Sequence, residues 1–355
     1  MGIRVGNKIS KYPVIQGGMG VGVSLHSLAG SVSREGGIGV LAAVDIGYKE
    51  PDFEKNPLEA NLRALAKEIN LAKKIAGEEG IIGVNVMVAL KNYDKIVMEC
   101  VKNKADLIIS GAGVPMDLPK YVTGSDTKIA PIVSSLKCCK LIVNNWYKKY
   151  DYIPDMIIIE GPMAGGHLGF KAEEIFNNTN QSLEDIAIEV ISYIKTVEEK
   201  HNVEIPVIVA GGIWDSNDIR KYMKLGAAGV QMATRFVTTF ECDASLEFKK
   251  AYLAADKNDI KIIKSPVGMP GRAINNKFIK GVEEHRECIT KCYQCIKTCK
   301  IETTPYCITK ALINAVNGVV DDGLIFCGSN VNRCKEIVSV KSLLQELMGE
   351  KKACA

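Results

Sequence analysis

The feature that most restricts how this 355-residue chain can fold is an alternation of short apolar runs with longer amphipathic ones. Eight runs are apolar at nearly every position and bounded by Gly, Pro or Ser: Pro13 to Gln16, Ile38 to Ala43, Ile81 to Val88, Asp106 to Ser110, Ile129 to Ser134, Met156 to Glu160, Pro206 to Ala210 and Gly229 to Thr234. A strand with one face in water alternates apolar and polar side chains. A run that is apolar throughout is covered on both faces, as strands of a parallel sheet are. Between the runs lie Leu25 to Glu35, Pro57 to Ala76, Tyr93 to Asn103, Leu136 to Tyr150, Leu183 to Lys200 and Ser216 to Leu225, all with helical periodicity. Alternation on this scale leads to a doubly wound open sheet or a closed barrel, and eight units favour the α/β solution of a (β/α)8 TIM barrel.

Such a barrel takes roughly 250 residues, so this chain has sequence left over. Past about residue 256 the pattern turns basic and Cys-rich. The expected division is a barrel over 1–256 and a smaller, mainly helical region over 257–355. In the latter, Cys307 to Gly318 and Val338 to Met348 read as helices able to pack back on the barrel.

A hydrophobic content of 47% suffices for a large core, and the net charge of +4 comes from lysines scattered along helical stretches. Nucleic acid is therefore not an expected partner. No apolar run approaches the roughly 20 residues that span a bilayer, so no membrane partner is expected. Met1-Gly2-Ile3-Arg4-Val5 lacks the ordered regions of a signal peptide. The expected setting is soluble and cytoplasmic, where twelve cysteines stay reduced or bind metal.

Glycines collect just after the apolar runs, where a barrel carries its catalytic loops. The first run ends in Gly17-Gly18-Met19-Gly20-Val21-Gly22, the sixth in Glu160-Gly161-Pro162-Met163-Ala164-Gly165-Gly166-His167, and the seventh in Ala210-Gly211-Gly212-Ile213. The eighth contains Gln231-Met232-Ala233-Thr234. Backbone without side chains lets a flat ring or a phosphate come close, and the last two loops of a barrel commonly bind phosphate. Gly17 to Gly22 loosely matches a dinucleotide fingerprint, but its third glycine and the acidic residue are out of register.

In Gln16-Gly17-Gly18-Met19, Glu35-Gly36-Gly37-Ile38-Gly39, Gly83-Val84-Asn85, Ala164-Gly165-Gly166-His167, Ala210-Gly211-Gly212-Ile213 and Gly229-Val230-Gln231-Met232, the chain resembles the nitronate monooxygenases, once called 2-nitropropane dioxygenases. It resembles as well their relatives, the flavin-type enoyl-acyl-carrier-protein reductases. The resemblance implies FMN as cofactor. Gly18 and Met19 would line the flavin ring and Asn85 would meet its polar edge. Ala164, Gly165 and Gly166 would hold it near His167. Gly211 and Gly212, with Gln231, Met232, Ala233 and Thr234, would bind the ribityl phosphate. The implied substrate is a small alkyl nitronate oxidised with O2, or an enoyl thioester reduced at the expense of NAD(P)H. Nitronate monooxygenases often carry Gln where this chain has Glu160 and Ala-Pro-Met where it has Gly17-Gly18-Met19. Glu160 is nearer the enoyl reductase pattern.

His167 follows two glycines at a strand end, so its imidazole can project into the barrel mouth, and its ordinary pKa suits proton transfer at neutral pH. It is the expected catalytic residue. His26, His201 and His285 are read as structural. Arg235 is either a phosphate counter-charge or half of a rim ion pair, and Lys137 either approaches the flavin or is a solvated helix-start lysine. Cys288, Cys292, Cys295 and Cys299, spaced four, three and four apart, form one stripe on a helix. The alternative is a zinc or iron–sulfur site. A continuous helix would spread Cys288 and Cys299 about 16 Å apart at roughly 1.5 Å per residue. The buried stripe is the reading adopted, with no metal assigned.

Overall fold

The computed structural model describes residues 2–350. Its eight parallel strands are β1 (Val14–Gln16), β2 (Gly39–Ala42), β3 (Ile82–Met87), β4 (Leu107–Gly111), β5 (Lys128–Val133), β6 (Ile157–Glu160), β7 (Val207–Ala210) and β8 (Gly229–Met232). Each pairs in parallel with its neighbour in sequence, and β8 pairs with β1 through Val230 opposite Val14. The ring closes between β1 and β2, where Gln16 N donates to Ile38 O and Ile38 N to Val14 O, both at 2.9 Å. This is the (β/α)8 barrel expected from the alternation.

The continuous apolar runs follow from a core on each side of the strand. In β6, Ile158 packs with Ile15, Val40, Leu107, Ile109 and Ile208 inside the barrel, whereas Ile157 and Ile159 pack outward against the helices. Ile3 and Val5, from the hairpin of Arg4–Val5 and Lys8–Ile9, belong to the inner cluster and plug one end. The helices His26–Arg34, Pro57–Ala76, Tyr93–Lys102, Leu136–Tyr150, Leu183–His201 and Ser216–Lys224 stand where the periodicity placed them. Ser135, Ser182 and Asp215 start three of them by accepting backbone N–H bonds at the N-cap. A short helix after β4, Leu118–Val122, has too few residues to show a period.

The C-terminal region differs from expectation in two places. Ile260–Lys264 and Pro270–Ile274 form an antiparallel hairpin, and the second of these strands also pairs with Gly166–His167. The cysteine stretch is not a helix. From about residue 286 to 301 it runs irregularly, its backbone spent on the loop after β3: Lys91 N donates to Cys295 O and Lys297 N to Ala89 O, both at 2.9 Å. Backbone groups satisfied by a neighbouring loop have no need of a helical ladder. The two later helices are present as Ile308–Val316 and Val340–Leu347. Among the described residues no helix is long and apolar enough to cross a membrane.

Candidate active site

The side chains that face inward near the C-terminal ends of the strands no longer form a plug. Gly17, Ala42, Asn85, Gly111, Ile132, Glu160 and Gln231 continue the inward-facing rows and line a cavity of about 400 Å3. That volume is in the range of small-molecule sites. Residues two apart on a strand share a face, so strands that fill the barrel lower down line its mouth above.

Of the residues singled out from sequence, Gly18, Met19, Asn85, Gly165, Gly166, His167, Gln231, Ala233 and Thr234 line this cavity together. Ala164, Gly211, Gly212 and Met232 lie behind them. Ala164 is buried, and its carbonyl accepts from Arg272 Nη1 while Arg272 Nη2 donates to Pro162 O at 2.8 Å. Gly211 and Gly212 have φ of +100° and +86°, the left-handed region that favours glycine, and turn the chain off the end of β7. A Cβ on Gly211 would stand 3.0 Å from Gly161 O. The carbonyl of Gly212 accepts from Asn330 Nδ2 at 2.8 Å. Met232 is buried, and its carbonyl accepts from Gly17 N at 2.8 Å, fixing the first glycine loop to β8.

His167 is held between two elements of the C-terminal region. Its Nε2 lies 2.7 Å from Ser265 Oγ, and the edge of its ring meets Phe326 with centroids 4.9 Å apart. Burial pulls its pKa down to about 4, so the imidazole is neutral at neutral pH. Glu160 goes the opposite way. Burial pushes its carboxyl up to about 8, against the pull of the Arg272 guanidinium, so it holds its proton at pH 7. One cavity therefore contains a protonated acid and a neutral imidazole, the division of labour that acid–base chemistry at neutral pH requires.

The floor suits a flat, polar-edged cofactor. A Cβ on Gly18 would lie 2.7 Å from Asn85 Cβ and 2.8 Å from Leu41 O, so only glycine fits there. Gln231 Oε1, on the cavity wall, is buried with no hydrogen-bond partner in the protein, as an acceptor reserved for a ligand would be.

Arg235 is the rim ion pair of the two readings given above. It forms a two-pronged bond to Glu346, at 2.7 and 2.9 Å, and stacks over Trp214. Lys137 lines a separate surface hollow with Lys171 and Gly268. Sequence reasoning missed Ser265, Phe326, Met269, Cys327 and Gly328, which reach the site from beyond the barrel. It also passed over Gly111-Ala112-Gly113 at the end of β4, which line the cavity and carry the same glycine signal as the other strand ends.

Comparisons with known proteins bear on the family and the fold. A probable nitronate monooxygenase of Staphylococcus saprophyticus is 31% identical over 296 residues, covering 78% of this chain and 79% of the relative. FabK from Thermotoga maritima superposes with a TM-score of 0.72 at 23% identity, covering 96% of this chain and 93% of that one. A nitroalkane oxidase from Streptomyces ansochromogenes does so with a TM-score of 0.72 at 18% identity, covering 96% of each. At those identities the two structures speak for the fold alone. The family model for nitronate monooxygenase matches residues 5–350, nearly the whole chain, which therefore belongs to the nitronate monooxygenase family of oxidoreductases.

Proposed function

We propose that the chain is an FMN-dependent nitronate monooxygenase that oxidises small alkyl nitronates with O2, working in the cytoplasm as a barrel over 1–256 covered by the region 257–355. The observation that carries the reading is the neutral imidazole of His167 in a glycine-lined cavity with the unpaired Gln231. Gly18 and Met19 would lie against the ring of FMN, Asn85 at its polar edge, and Ala164, Gly165 and Gly166 along the loop beside it. Gly211 and Gly212, with Gln231, Met232, Ala233 and Thr234, would take its phosphate end. Bound FMN supplies the electron acceptor for the nitronate and the reductant for oxygen.

The chain's own contribution is position and protonation. A neutral imidazole can donate a hydrogen bond to a nitronate oxygen, and Ser265 fixes its orientation. Oxygen uptake by FMN-loaded protein given propionate 3-nitronate or ethyl nitronate tests the proposal; its absence overturns it.

A second reading is favoured by Glu160, whose proton is retained at pH 7. An acid beside the cofactor floor suits delivery of a proton to the carbon next to a thioester carbonyl during NAD(P)H-dependent reduction of an enoyl thioester. Anaerobic bleaching of the flavin by NADH or NADPH, then reoxidation by an enoyl thioester, would support it. Failure of both nicotinamides to bleach the flavin would remove it.

A further inference from the structure

Four cysteines of the C-terminal region surround a cavity of their own, apart from the barrel mouth. Cys292, Cys295, Cys299 and Cys307 line a void of about 140 Å3 together with Lys91, Lys291 and Lys297. Cys288, the first of the stripe seen in the sequence, is not among them, and Cys307 takes its place. We infer that Cys292, Cys295, Cys299 and Cys307 ligate a [4Fe–4S] cluster in this void.

The spacing is Cys-x2-Cys-x3-Cys-x7-Cys: three thiols close in sequence and one remote, unlike the two Cys-x-x-Cys pairs of a zinc ribbon. Geometry separates the two metals further. Among the described residues no three His, Cys, Asp or Glu side chains stand close enough to share one metal ion. A single tetrahedral zinc draws its sulfurs to one point, at about 2.3 Å. The four ligands of a cubane sit on different irons, so their sulfurs stand round a volume, and these four residues line one void.

Three lysines line the void, while the carboxylates of Asp45 and Glu287 stand near Cys295 and Cys307. A [4Fe–4S]2+ core with four thiolates carries a net charge of about −2. Lys91 donates to Gln294 Oε1 at 3.0 Å and Lys297 to Val88 O at 2.9 Å, so both spend their ammonium groups on neutral acceptors and keep their charge. Lys291 is shared with Glu54 at 2.8 Å. Gln294 N donates to Cys292 Sγ at 3.3 Å. Cys307 is the N-cap of Ile308–Val316, at the end of the helix where backbone N–H groups are unpaired. Hydrogen bonds to the ligating sulfurs are what tune such clusters. On binding, four S–H bonds give way to four Fe–S bonds and the protons go to solvent. The irregular backbone of this stretch, bonded to the loop after β3, is what lets residues 292 and 307 face the same void.

The test uses the full chain, purified without oxygen and reconstituted with equal amounts of ferrous and ferric iron and with sulfide. We expect about four iron and four sulfide per chain, with visible absorption that survives removal of flavin and bleaches with dithionite. Cys292→Ser, at an exposed position, and Cys295→Ser should each lower iron and sulfide at least fivefold while keeping flavin content, and Cys288→Ser should change neither. Iron and sulfide below about one-tenth of the expected amount in the unsubstituted protein, one tightly held zinc per chain, or loss of the cluster on Cys288→Ser with retention on Cys292→Ser would each overturn the inference.

Discussion

His167 Nε2 and Ser265 Oγ lie 2.7 Å apart, one on the loop after β6 and the other at the end of the first strand of the C-terminal hairpin. The contact orients the one histidine of the barrel mouth from outside the barrel. His167→Ala is expected to lower kcat/KM toward the nitronate by about 10²–10⁴-fold, the usual worth of a positioned acid or base, with flavin content unchanged. Ser265→Ala should cost only about fivefold, since a single hydrogen bond is worth about 1 kcal/mol. Steady-state kinetics of flavin-matched preparations check both.

Glu160 gives a pH dependence with a definite sign. Its folded-state pKa is raised to about 8 from an ordinary 4.5, so the unfolded chain ionises there while the folded protein holds the proton. Stability of the flavin-free protein should therefore fall as pH rises from about 4.5 through 8, and Glu160→Gln should flatten that fall. Thermal melts at pH 5 and pH 8 read it directly. If the acid also delivers a proton in turnover, the rate declines above pH 8 and Glu160→Gln removes that alkaline limb.

Gly165 touches the segment that closes the site. A Cβ there would stand 2.6 Å from the carbonyl of Cys327 and 2.7 Å from Gly328 N, backbone that cannot step aside cheaply. Gly165→Ala should cost about 1–3 kcal/mol of stability and weaken flavin binding, because Cys327 and Gly328, which line the cavity, must move. Flavin titration of the apoprotein and denaturant unfolding measure the two effects.

Arg235 spends its charge on Glu346, not on a ligand. Arg235→Ala is expected to leave flavin affinity within about twofold. It should destabilise the fold by about 1–3 kcal/mol, between the values for exposed and buried pairs. Urea unfolding of Arg235→Ala, Glu346→Ala and the double substitution should give a coupling energy near 1 kcal/mol. A large loss of flavin affinity in the arginine variant would return it to the phosphate site.

The barrel was legible because its cause is local. A strand buried on both faces needs an apolar residue at every position, and Ile157, Ile158 and Ile159 say so without knowing their neighbours. Glycines at strand ends are equally local, and most of those noted in the sequence line the cavity or turn the chain behind it. Gly111 and Gly113 carried the same signal unread.

What the sequence determined by itself was the set of strands and the helices between them, which follow from periodicity along the chain; the grouping of Asn85 and Gln231 with His167 was what the family resemblance implied. Tertiary structure alone decided what covers the barrel mouth. Ser265 and Phe326 meet His167 across about 98 and 159 positions of sequence, a contact that no local pattern encodes. It also decided the state of the thiols. The 4-3-4 spacing of Cys288 to Cys299 would make a stripe on a helix, but the loop after β3 claims the backbone, and the helix gives way to an irregular stretch around a void. A spacing fixes how far apart side chains lie along the chain; only the competition between hydrogen-bond partners fixes where they point.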